Sequence, residues 1–188
     1  MSKRRVGDQL TGGTRDVNPQ YMQGAVVMTT INQAKEETIG VPIVRPGGVS
    51  AGNKAVIVEL LKLWVMMPGF VTNAGANNTA FARTFSLSTS AQTTVVPNLS
   101  DGRVLAQFID EYIASFTAAG TAGVVAPRLK CWDFTDGAGH GILVGTDNLY
   151  LQGDTDNFAA VATFTYKIEY RFKEVSLVEY IGIVQSQQ

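Results

Sequence analysis

Two residues in this chain could act as a nucleophile and its base, and each occurs once: Cys131 and His140. A thiol beside an imidazole becomes an activated nucleophile wherever folding brings them together, whatever their separation in sequence. The plainer reading is a buried thiol and a turn histidine, since His140 stands among Gly137, Gly139 and Gly141. The same stretch opens the most acidic region of the chain, with Asp133, Asp136, Asp147, Asp154 and Asp156. Calcium takes several oxygen ligands from flexible loops, but this spacing follows no calcium loop, and Asp136-Gly137 and Thr146-Asp147-Asn148 are turn residues first. Thr11-Gly12-Gly13-Thr14 lacks the lysine that a phosphate-cradling loop would supply. No carboxylate pair stands at a spacing suited to acid–base work. These residues assign no catalytic group, no metal and no cofactor, and the reading is of a protein that is not an enzyme.

A second kind of chemistry lies near the start. Lys3, Arg4, Arg5 and Arg15 fall within the first fifteen residues, opposed only by Asp8. On a mobile arm they are candidate nucleic-acid-binding residues, able to neutralise a few phosphates of a single strand weakly and without regard to sequence. A solvated terminus that aids solubility is the alternative. Lys167, Arg171 and Lys173 read as a solvated strand face before a binding patch.

The elements around these residues are mostly strands. Residues 1–24 hold Gly7, Gly12, Gly13, Gly24 and Pro19 among polar residues and read as a flexible N-terminal arm. Residues 25–188 read as one domain. Strands are expected at Val26–Ile31, Thr38–Val44, around Phe81, Arg83, Phe85 and Leu87, and at Arg128–Phe134, Gly141–Gly145 and Asn148–Gln152. Asn53–Met67 is apolar on both faces, which a strand covered on both sides explains and a buried helix explains almost as well; Gly52 and Pro68-Gly69, at strand-like spacing, favour the strand. Phe158–Lys173 alternates most plainly, with Phe164, Tyr166, Ile168, Tyr170 and Phe172 on one face and Lys167, Glu169, Arg171 and Lys173 on the other. A last strand is expected at Val175–Val184. Between them, Val104, Leu105, Phe108, Ile109, Tyr112, Ile113 and Phe116 recur at helical spacing and predict one amphipathic helix in a long connecting loop. About eight antiparallel strands without a strand–helix–strand rhythm give an all-β chain, a β-sandwich of the jelly-roll kind.

The totals suit such a domain. The 188 residues are 45% hydrophobic, enough for a core without disulfides. Charged residues are only 16%, against roughly 25% in ordinary soluble domains. That shortfall fits a chain that hides surface in contacts with other copies. Loop 68–80 and the connection carrying the predicted helix are the expected contact segments. Net charge is −1, so no overall basic field favours nucleic acid. The longest apolar run, Val56–Val65, carries Glu59 and Lys62 and is too short to span a bilayer.

Four stretches resemble capsid proteins of the small circular, Rep-encoding single-stranded DNA viruses, the circovirus-like group. They are Leu10–Gln20, Val58–Trp64 with its embedded Glu59 and Lys62, Asp133–Val144 with Thr146-Asp147, and Glu179–Gln188. The resemblance implies a single jelly roll whose copies, about 60 of them, close into a small icosahedral shell. It further implies a circular single-stranded DNA genome inside, a virion location, and assembly in the host nucleus or cytoplasm. Related capsids usually begin with a long arginine-rich arm, of which only Lys3, Arg4 and Arg5 remain here. The alternative to a capsid is a ligand-binding β-sandwich of lectin-like kind.

Overall fold

A computed structural model of the chain describes residues 19–41, 54–71, 79–91, 99–114 and 123–187. The strands are β1 (Gln20–Val27), β2 (Ala34–Gly40), β3 (Lys54–Met67), β4 (Phe70–Val71), β5 (Thr79–Ser88), β6 (Val104–Ala114), β7 (Val124–Val125), β8 (Arg128–Asp133), β9 (Ile142–Val144), β10 (Asn148–Asp156) and β11 (Thr163–Ser176). One helix, α1 (Leu177–Ser186), follows them. The strands make two main antiparallel sheets. One runs β1-β11-β3-β8, with β9 also on β3, and the other runs β2-β10-β5-β6. β4 and β7 form a short ladder of their own.

The pairing is nested. β1 pairs with β11, β2 with β10, β3 with β8 and β9, and β5 with β6 in the middle. β8 opposes Met67 to Lys62 and β9 opposes Leu60 to Val58 in the same sense, so the two are one strand interrupted by loop 134–141. Eight strands paired outermost with outermost, alternately in one sheet and the other, are a long hairpin wrapped into two layers. This is the jelly roll that the strand count predicts.

The core lies between the sheets. On β11, Phe164, Tyr166, Ile168 and Tyr170 point inward, while Thr165 and Lys167 point out. They meet Leu63 and Val65 of β3, Val26 of β1, Phe85 and Leu87 of β5, and Leu149 and Leu151 of β10, all buried in one cluster. Burial of each such side chain contributes about 1.5–3 kcal/mol against leaving it in water. β3 is covered on both faces at its start because α1 lies across its outer side. Ala55, Ile57 and Val175 form a second cluster with Leu143, Tyr180 and Ile183.

Two expectations are corrected. The segment predicted as a helix in a connecting loop is strand β6. Its apolar residues recur four apart, a spacing that also keeps one face of a strand. Phe108 and Tyr112 pack on the core, and Ile109 and Ile113 stand on the opposite side, 50% and 78% exposed. The segment predicted as the last strand is α1. Its valines and isoleucines favour strand, but Ser176 caps a helix by accepting a hydrogen bond from the Glu179 N–H at 3.2 Å. Other bounds shift modestly. β1 starts at Gln20, inside the stretch expected as an arm, and β11 starts at Thr163, although Phe158 is buried ahead of it. Within loop 68–80, Phe70–Val71 forms β4, and residues 72–78 lie outside the described ones, as does Phe116.

Candidate assembly surface

Chemistry-bearing side chains in the interior serve to fix strands. Arg83 points inward from β5 between Phe81 and Phe85 and is wholly buried. Its guanidinium donates to Asp110 Oδ2 from Nε at 3.0 Å and from Nη2 at 2.8 Å. It also donates to the Pro68 and Ala126 carbonyls and, at 3.3 Å, to the Tyr112 hydroxyl. The Tyr112 hydroxyl donates to Asp110 in turn at 2.8 Å. The rings of Phe70 and Tyr112 lie 5.7 and 5.8 Å from the guanidinium carbon, and Phe70 stacks on Phe158 at 4.0 Å. One buried cation therefore ties β5, β6, the β3–β4 turn and the β7–β8 connection together. It holds β6, an edge strand, in place.

Glu59 sits on the outer side of β3 yet is fully buried. It accepts from Arg171 Nε and from the Gly141 N–H at 2.9 Å, and Lys173 Nζ lies 3.5 Å away. Burial pushes its pKa up, but the Arg171 hydrogen bond, the Gly141 N–H and the two positive charges outweigh it and hold the carboxyl below its ordinary range. Arg171 also donates to the Gly139 carbonyl at 3.0 Å. The cationic face of β11 is thus largely a clasp for loop 134–141. Gly141 is required there, because a Cβ would meet the Leu60 carbonyl oxygen at 2.0 Å.

The candidate nucleophile and base have separate surroundings. Cys131 is not the buried thiol expected: it is exposed on β8, opposite Trp64 of β3, on the strand face turned away from the core. The His140 ring nitrogen Nδ1 lies 3.1 Å from Asp136 Oδ2, and Asp136 also accepts from the His140 and Ala138 N–H groups at 2.8 and 2.9 Å. Asp133 accepts from the Thr135 N–H and hydroxyl. These carboxylates shape a tight loop, as turn chemistry predicts. Among the described residues no three metal-binding side chains gather. Lys3, Arg4, Arg5 and Arg15 lie outside the described residues.

The outward faces carry the more informative signal. Across the open end of the first sheet, Lys167 stands opposite Trp64, and Thr165 opposite Met66, which itself faces Leu129. With Tyr21 and Gly24 they line a groove of about 710 Å³, where Lys167 Nζ sits 4.0 Å from the centre of the Tyr21 ring. Further apolar side chains are open on β6 (Ile109, Ile113), on β7 (Val124) and on α1 (Leu177, Val178, Ile181). Sequence reading missed Arg83 and Glu59 as fixing points. The available signal was a charge at an inward position of an alternating strand and an acid inside an apolar run.

No family model matches the chain, and no curated protein does. Several solved structures are similar to it. One is the VP1 protein of Trichodysplasia spinulosa-associated polyomavirus in complex with GM1 oligosaccharide, at 9% identity over 84% of this chain and 94% of that one, TM-score 0.47. The same virus's VP1 with 3'-sialyllactose overlaps at 8% identity, 84% and 95% coverage and TM-score 0.49. The VP1 pentamer of Human Polyomavirus 7 overlaps at 10% identity, 84% and 96% coverage and TM-score 0.46. The nested strand order alone carries the fold assignment.

Proposed function

We propose that this chain is a viral capsid subunit whose copies close into a small icosahedral shell around single-stranded DNA. The observation that carries the reading is the set of apolar side chains left open on rigid strands and on α1, Ile113, Val124 and Val178 above all, at 78%, 79% and 82% exposure. A chain with 16% charged residues and this much open apolar surface gains most by burying it against copies of itself. The jelly-roll order supplies a stiff body for such contacts, and the polar side chains described above brace strands and loops. The resemblance of four sequence stretches to circovirus-like capsids sets the expectation of single-stranded DNA and of about 60 copies. Lys3, Arg4, Arg5 and Arg15 are the proposed contacts to the genome.

Electron microscopy of nuclease-treated protein, with its absorbance ratio at 260 and 280 nm, tests this. Closed particles with a nucleic-acid absorbance that vanishes on disassembly and nuclease treatment support the reading. A monomer stabilised by a carbohydrate or another small ligand supports the ligand-binding sandwich instead.

A further inference from the structure

Helix α1 has two apolar faces, and its own chain covers one. Tyr180 and Ile183 pack on Ala55, Ile57 and Val175, and Val184 lies over Gly145. The helix is fastened at both ends. Ser176 caps its start, and at its end the Gln187 side chain donates to the Leu143 carbonyl at 2.6 Å and accepts from the Gly145 N–H at 2.9 Å. At 100° per residue the opposite face is Val178, Ile181, Gly182 and Gln185, and all four are exposed. A helix that is apolar on both sides belongs to an interior.

Gly182 is the second observation. Glycine is among the poorest residues for a helix interior, and here nothing lies within 4 Å of the place a Cβ would occupy. The chain's own packing does not call for it. A glycine at the centre of an exposed helix face admits close approach by another backbone. The face carries no charge, so two identical copies of it meet without like-charge repulsion, as a twofold contact requires. We infer that α1 pairs with α1 of a second copy across a twofold axis, the two helices crossing at Gly182 with Val178 and Ile181 packed on either side. The inference rests on self-association within the proposed function and is independent of a closed shell or a DNA cargo.

Three variants test it. In a Cys131→Ser background, Gly182→Cys puts two thiols at the crossing, within the roughly 4.4–6.8 Å Cα separation that a disulfide spans. Mild oxidation is expected to give a covalent dimer, while Glu174→Cys in the same background gives none. Val178→Asp and Gly182→Leu are expected to lose the pairing, read as at least a tenfold weaker self-association by sedimentation. Gly182→Leu should melt at or above the wild-type subunit temperature, which separates lost pairing from lost folding. Absence of the covalent dimer, together with wild-type association of Val178→Asp and Gly182→Leu, overturns the inference, and so does a monomeric wild type. A wild-type dimer that builds no shell but falls apart with Val178→Asp upholds the helix pairing and refutes the capsid reading.

Discussion

Arg83 and Asp110 stand directly opposite each other in the ladder between β5 and β6, both turned inward and joined by two hydrogen bonds to one carboxylate oxygen. The arginine side chain is fully buried and the aspartate side chain 11% exposed. Removing one partner of such a pair leaves an uncompensated charge, which costs far more than the intact pair contributes. Arg83→Met is expected to lower subunit stability by about 3–5 kcal/mol. Arg83→Met with Asp110→Leu should recover most of the loss, as denaturant unfolding of both variants would show.

Glu59 makes stability depend on acid. Its folded pKa lies below the unfolded value, so the stabilisation is complete above the unfolded pKa, near 4.5, and is lost as pH falls through the folded value. Wild type should therefore lose stability below about pH 4. Glu59→Gln should cost about 1–3 kcal/mol at pH 7, with the gap narrowing in acid. Thermal melts of both proteins from pH 3 to 7 measure this.

Asp154 behaves in the opposite sense. Burial raises its pKa and the Asp156 charge raises it further, against a lowering by the Thr155 N–H. The folded state holds that proton more tightly than the unfolded chain, so this residue subtracts stability as pH rises from the unfolded to the folded pKa and above. Asp154→Asn should be more stable than wild type at pH 7 by about 0.5 kcal/mol, the size left to a partly buried group. The two should converge in acid.

Gly141→Ala should distort the junction between loop 134–141 and β9, because the new methyl would press on the Leu60 carbonyl. A cost of about 1–3 kcal/mol is expected. Faster hydrogen exchange at Ile142 and Leu143, which pair with Leu60 and Glu59, would report it locally.

The sandwich was legible because strands with one buried face advertise themselves, as Phe164, Tyr166, Ile168 and Tyr170 do. β6 was not, because residues four apart share a face in a helix and in a strand alike. The adjacent pairs Phe108-Ile109 and Tyr112-Ile113 were the hint of a strand apolar on both sides, one for the core and one for a surface. α1 hid behind β-favouring valines and isoleucines, although Ser176 followed by Glu179 three residues later is a helix-start signal. The ionic anchors emerge only from pairings that are distant in sequence, Arg83 with Asp110 and Glu59 with Arg171. The proposed assembly surface was legible only as a low charge count, and locating exposed apolar side chains needed the strand faces.

The mass of the purified, nuclease-treated protein in solution, by size exclusion with light scattering, tests the central claim most directly. A closed shell of about 60 copies of the 20.2 kDa chain predicts a uniform species near 1.2 MDa. A monomer or small oligomer that persists across salt and pH would contradict it.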